Sequence, residues 1–124
     1  MDIYDARPLL NAKTNKLKGG GYEDCGPNSH YPNCFITFGD IDNIHVVRES
    51  FEKAHDMAYT ITSTQKSASQ GWNKILDGTG HRKVLMRILS CVNEILKSIT
   101  QKELNILIHC SDGWDRTAQL SSLT

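Results

Sequence analysis

Residues 104–120 read LNILIHCSDGWDRTAQL, and the fold turns on them. Leu104-Asn105-Ile106-Leu107-Ile108 is a short apolar run and predicts a buried strand. His109-Cys110-Ser111-Asp112-Gly113-Trp114-Asp115-Arg116 follows, with small, acidic and turn-forming residues between a cysteine and an arginine. Thr117-Ala118-Gln119-Leu120 predicts the opening of a helix. Strand, tight loop and helix in that order gather backbone N–H groups around one point and make an oxyanion cradle.

Upstream of the strand, Leu85, Ile88, Leu89, Val92, Ile95, Leu96 and Ile99 recur at i, i+3, i+4, i+7 spacing. An amphipathic helix is expected from Arg82 to Thr100, with Cys91 as an inert core thiol. Arg82 and Lys83 at its start oppose the macrodipole. A short helix is expected around Trp72, Ile75 and Leu76, ended by Asp77-Gly78-Thr79-Gly80. Residues 60–70, rich in Thr, Ser, Gln and Lys, read as an exposed loop. Val47, Phe51, Ala54 and Ala58 predict a helix from Val47 to Tyr59, in an element that begins at Ile44-His45-Val46-Val47. Phe35-Ile36-Thr37-Phe38 suits a strand, and Gly39-Asp40-Ile41-Asp42-Asn43 a turn. Residues 1–34 hold few apolar residues and many turn formers. An extended, Pro-containing stretch is expected there, then a solvated loop bearing Lys13, Lys16, Lys18 and the permissive Gly19-Gly20-Gly21. Helices before and after a buried strand define an α/β class.

The chain has 124 residues, enough for one domain with a modest core. A hydrophobic content of 39% and a charged content of 23% exclude a disordered or membrane-embedded class, and no apolar run approaches a membrane span. A formal net charge of zero gives no global drive toward nucleic acid, and no nucleic-acid partner is expected. Cys25, Cys34, Cys91 and Cys110 have irregular spacing with no C-x-x-C pair. That argues for reduced thiols and a cytosolic protein, and no metal site or cofactor is expected.

Cysteine is a nucleophile only as thiolate. Backbone N–H groups around Cys110 would lower its pKa and serve equally as a nest for phosphate oxygens. Gly113 lets the loop curl. Arg116 supplies a planar fork that holds two oxygens and keeps its charge. Together they suggest in-line attack of Cys110 on phosphorus, a thiophosphate intermediate, and its hydrolysis by water. The leaving alkoxide needs a proton, and either Asp112 or Asp115 can supply it. Thr117 can orient the water or polarise the sulfur. The competing reading makes Cys110 a buried structural thiol and Arg116 an exposed helix residue.

The string HCSDGWDRTAQLSSL resembles the active-site signature of the myotubularin family of phosphoinositide 3-phosphatases. The resemblance extends to Tyr4-Asp5-Ala6-Arg7-Pro8 with Asn11-Ala12, to the stretch from Asn15 through Gly19-Gly20-Gly21 to Tyr22-Glu23, and to the block from Ile41 to Ser50. Trp72 falls where the family has a tryptophan, and the fit is poorest over 24–34 and 60–83. It implies a partial cysteine-phosphatase-like domain: a central sheet flanked by helices, with the strand, phosphate loop and helix near the C-terminus. Cys110 would be the nucleophile, Arg116 the phosphate clamp, and Asp112 and Asp115 the acidic loop residues near the inositol ring. Substrate binding would fall to Ser111, Asp112, Gly113, Trp114, Asp115 and Arg116 of the loop. Asn15, Asn43 and Ile44 match positions that line the family's pocket, so the glycine-rich segment is expected beside that pocket. The resemblance gives Asp77 no acid role.

The implied substrates are phosphatidylinositol 3-phosphate and phosphatidylinositol 3,5-bisphosphate. The implied partners are such lipids at a membrane surface, with homo- or hetero-oligomers of the full-length protein. The implied location is cytoplasmic, peripheral at endosomal or other cytosolic membrane faces. The family's catalytic domain is several times longer, so residues 1–124 are expected to be a domain truncated at both ends, with exposed apolar surface and unpaired sheet edges. Two other readings follow: a non-catalytic fragment with a binding or regulatory role or none, and a protein tyrosine or dual-specificity phosphatase. The loop aspartates count against the tyrosine phosphatase, and the blocks outside the loop count against a rhodanese-type sulfur transferase.

Overall fold

Asp2–Asp5 forms strand β1, and its sequence DIYD is not that of an obvious buried strand. Each side chain is nonetheless buried, and each polar one has a partner. Asp2 Oδ2 accepts from the Ser98 hydroxyl at 2.9 Å, and the Tyr4 hydroxyl lies 3.0 Å from the same Oγ. Asp5 holds Arg7 through several hydrogen bonds. Paired polar groups lose little on burial, whereas unpaired ones would cost too much to keep.

A computed structural model describes residues 1–64 and 71–124 of the chain. After β1 come helix α1 (Leu9–Lys16), strand β2 (Phe35–Phe38), helices α2 (Ile44–Thr64), α3 (Trp72–Gly78) and α4 (His81–Thr100), strand β3 (Ile106–His109) and helix α5 (Arg116–Ser121). The architecture is mixed α/β. The sheet has the order β2-β1-β3 with every pairing parallel. Asp2 stands opposite Phe35 and Ile106, and Asp5 opposite Phe38 and His109.

The described residues divide into two compact units, Met1–Ile41 with Arg87–Thr124, and Asp42–Met86. In the first, Asp2 and Tyr4 share one face of β1, as strand alternation requires, and both reach Ser98 of α4. Ile88, Cys91, Val92 and Ile95 of α4 are buried with Ile3, Ala6, Ala12 and Leu120. Gly39 has a packing reason to be glycine. A Cβ there would lie 3.1 Å from Cys91 Sγ and 3.2 Å from Ala6 Cα. Burial pushes the Cys91 thiol pKa up from 9.0 to about 11, as expected of an inert core thiol.

In the second unit Asn43 Oδ1 caps α2, accepting from the N–H groups of His45 and Val46 at 3.0 and 3.2 Å. Exposed i,i+4 pairs, Arg48–Glu52 and Glu49–Lys53, run along its surface. The Ser50 hydroxyl donates to Val47 O at 2.7 Å and lies 3.2 Å from His81 Nδ1. Arg82 is not simply solvated: it pairs with Asp77 Oδ1 at 3.0 Å and donates to Asn73 Oδ1 at 3.0 Å, which offsets its unfavourable place at a helix start.

Four sequence expectations need correction. Residues 1–34 are not only extended chain and loop; they contain β1 and α1. α2 begins before Val47 and continues past Tyr59 to Thr64, so residues 60–64 are helical, and residues 65–70 of the expected loop lie outside the described residues. β3 starts at Ile106 rather than Leu104 and includes His109, because β1 pairs only over that register. α4 opens at His81, one residue before Arg82.

Candidate active site

β3 ends at His109 and α5 starts at Arg116, so Cys110–Asp115 forms the connection between them. Gly113, at φ +77°, turns this loop back on itself in a conformation that favours glycine. The turn brings Gly113 N–H to Cys110 Sγ, to which it donates at 3.2 Å. Cys110 is buried within the loop, and its S–H can donate to Asp115 Oδ1 at 3.8 Å.

Two influences act on the Cys110 thiol. Burial raises its pKa. Against it stand the Thr117 hydroxyl and the N–H groups of Thr117, Asp112 and Gly113, and the net displacement is downward. The Thr117 hydroxyl is buried and makes no hydrogen bond of ordinary geometry, so its effect on the sulfur is that of a nearby dipole. The firmest donor is the Gly113 amide.

Arg116 is buried, contrary to the reading that made it an exposed helix residue. Its Nη2 donates to Ser111 Oγ at 2.9 Å, tying the two ends of the loop together. Its Nε lies 3.5 Å from Asp115 Oδ1, within ion-pair range, yet makes no aligned hydrogen bond. Asp115 Oδ1 instead accepts the Arg116 backbone N–H at 2.6 Å. The loop therefore holds a buried guanidinium with a donor to spare, beside a thiol whose pKa is displaced downward.

A cleft of about 370 Å³ opens at this point. Ser111, Asp112, Cys110 and Asn15 line it, joined by Arg7, Lys18, Gly20, Gly21, Glu23 and His109. Asp112, Gly113 and Trp114 are exposed, Trp114 by 86%. Asn43 and Ile44 belong to the second unit, where Asn43 caps α2 and Ile44 is its first residue.

Three of the lining residues were given no site role from the sequence. Arg7, at the end of β1, is fixed by Asp5 at 2.6 Å and donates to Gly21 O at 2.7 Å, which holds the glycine segment against the cleft. The Asp5 hydrogen bond raises the Arg7 pKa further. Glu23 Oε2 stands 3.0 Å from His109 Nε2, off the line of a hydrogen bond. His109 Nδ1 is 3.1 Å from the Cys110 carbonyl oxygen. His109 adjoins Cys110 in the chain, and Arg7 and Glu23 fall in the upstream blocks of the family resemblance, but their contacts form only through tertiary packing.

A depressed thiol, backbone donors directed at it and a buried guanidinium suit nucleophilic attack on an anionic ester. Among the described residues no group of three His, Cys, Asp or Glu is placed to hold a metal ion, and no helix is long and apolar enough to cross a membrane.

The model of the myotubularin-like phosphatase domain matches residues 1–124. The chain belongs to that family. It is 41% identical to "Myotubularin" of Xenopus laevis over 123 residues, 99% of this chain and 19% of that protein. It is 43% identical over 121 residues to "Phosphatidylinositol-3,5-bisphosphate 3-phosphatase mtm-1" of Caenorhabditis elegans, covering 98% and 19% of the two chains. Against "Phosphatidylinositol-3,5-bisphosphate 3-phosphatase MTMR2" of Mus musculus it is 43% identical over 122 residues, covering 98% and 18%. The chain thus spans about a fifth of the length of the curated relatives it matches.

Proposed function

We propose that this chain carries the reaction centre of a cysteine-dependent phosphoinositide 3-phosphatase. It would remove the 3-phosphate from phosphatidylinositol 3-phosphate and phosphatidylinositol 3,5-bisphosphate at cytosolic membrane faces. The observation that carries this reading is the pairing of a downward-shifted Cys110 thiol with a buried Arg116 whose Nε makes no hydrogen bond. The names of the worm and mouse relatives support the substrate class. The cysteine-phosphatase-like fold, with Cys110–Arg116 as its phosphate loop, is part of the same proposal.

In the proposed reaction the Cys110 thiolate attacks phosphorus in line. A P–S bond forms as the bond to the inositol 3-oxygen breaks. Gly113 N–H and Arg116 stabilise the charge on the transferring group. Asp112 or Asp115 gives its proton to the leaving oxygen, then takes one from the water that hydrolyses the thiophosphate and releases inorganic phosphate. Asn15 and the loop residues Ser111 and Trp114 bind substrate.

The test is phosphate release from short-chain phosphatidylinositol 3-phosphate set beside a phosphotyrosine peptide. Turnover of the lipid but not the peptide, abolished by Cys110→Ser, is expected. Near wild-type turnover in Cys110→Ser would sink the mechanism, and preference for the peptide would favour a tyrosine phosphatase. Asp112→Asn and Asp115→Asn, compared at several pH values, identify the proton donor by loss of one limb of the profile.

A further inference from the structure

Between Pro8 and Tyr22 the chain carries Lys13, Lys16 and Lys18 and no acidic residue, although its overall net charge is zero. Helix α1 and its C-terminal turn occupy this stretch. The inward side of α1 is marked by Ala12, which is fully buried, with Asn15 half-buried one turn later. At about 100° per residue, Leu10 and Leu17 fall on the opposite side and share one stripe, with Lys13 and Thr14 between them. Leu17 keeps helical backbone angles at the C-cap and so stays in phase. The two leucines are 74% and 88% exposed. Lys18, the next residue, lines the Cys110 cleft together with Gly20 and Gly21.

We propose that this outward face of α1 docks on an anionic lipid bilayer. Leu10 and Leu17 enter the boundary between headgroups and acyl chains, and Lys13 and Lys18 meet the anionic headgroups. Lys16 lies 5.6 Å from the Tyr22 ring centroid, which steadies the chain where it turns from the helix into the glycine segment. Two leucines ringed by lysines offer far too little area for a protein partner, which needs about 800 Å² per side. A bilayer requires no shape complement, and its anionic surface matches a segment of uniform positive charge. The proposal deepens the phosphoinositide reading and rests on it for the identity of the lipid that enters the cleft, because docking places that cleft at the lipid surface.

The experiment is cosedimentation of the full chain with phosphatidylcholine vesicles, with and without phosphatidylserine, in the absence of any phosphoinositide. Binding only to the phosphatidylserine vesicles is expected. It should weaken about tenfold in Leu17→Ser and in Leu10→Ser, and several-fold in Lys13→Gln. It should also fade when salt shortens the Debye length to about 3 Å. Turnover of a monomeric short-chain substrate should be unchanged in the leucine variants. No binding to either vesicle, equal binding to both, or full binding by Leu10→Ser/Leu17→Ser would overturn the proposal. Docking without turnover of the monomeric substrate would remove the catalytic reading and leave the docking face standing. Turnover without docking would do the reverse.

Discussion

The amide N–H of Gly113 donates to the sulfur of Cys110 at 3.2 Å. This contact exists because Gly113 adopts a positive φ, and it links a backbone conformation directly to the reactivity of a side chain. An amide dipole directed at sulfur favours the thiolate over the thiol.

Cys110 is therefore expected to alkylate with iodoacetamide along a pH curve whose midpoint lies below that of an ordinary cysteine. Thr117→Val should move that midpoint upward, because the Thr117 hydroxyl leads the influences that lower it. The folded pKa lies below the unfolded one, so ionised Cys110 stabilises the fold above the unfolded thiol value, and this contribution disappears as pH falls through the folded value. An unchanged midpoint in Thr117→Val would remove the hydroxyl from the account.

Cys91 should behave in the opposite way. Its folded pKa is raised from 9.0 to about 11, so the neutral thiol's contribution to stability is complete below the unfolded value and is lost as pH rises across that interval. Denaturation midpoints should fall over that range, and Cys91 should resist alkylation until the protein unfolds. Alkylation of Cys91 at the same rate as Cys110 under native conditions would contradict the packing around Gly39 and Ala6.

Arg116→Lys should lose most turnover, on the order of 100-fold or more, because an ammonium cannot hold Ser111 and two phosphate oxygens at once. The alkylation curve of Cys110 gives a check independent of turnover, since the Gly113 contact does not pass through Arg116. A variant with full rate would end the clamp assignment.

Asp5→Ala should destabilise the protein by about 3 kcal/mol, because it leaves the Arg7 guanidinium buried and unpaired. Replacing both partners, Asp5→Leu with Arg7→Met, should recover only part of the loss, since the Gly21 carbonyl then loses its Arg7 donor. Chemical denaturation measures both, and a single variant as stable as the parent would show that the pair contributes nothing.

The parts of this chain legible in its sequence are those whose signal is local. Phe35–Phe38 reads as a strand from its own composition, and α4 from its own periodicity. Cys110, Gly113 and Arg116 lie within one short loop, so spacing alone brings them together. β1 was missed because its burial depends on Ser98 and Arg7 rather than on apolar content. α1 was missed because its outward leucines blur the amphipathic pattern. Glu23 reaches His109, and Arg7 reaches Gly21, only once the sheet has formed, so neither contact left a trace in the order of residues.

The strand order β2-β1-β3 also bears on how the molecule assembles during synthesis. β1 is made before β3, and one of its two edges stays open until Ile106–His109 has been made. Pairings so far apart in sequence form slowly, because a long loop must close before any contact rewards it. In that interval the nascent chain presents an unpaired edge and the exposed side chains of α4, the kind of surface that chaperones hold. β3, which leads into Cys110, is the last of the three described strands to be made, so the Cys110 thiol meets its described neighbours only after β1 and β2 exist.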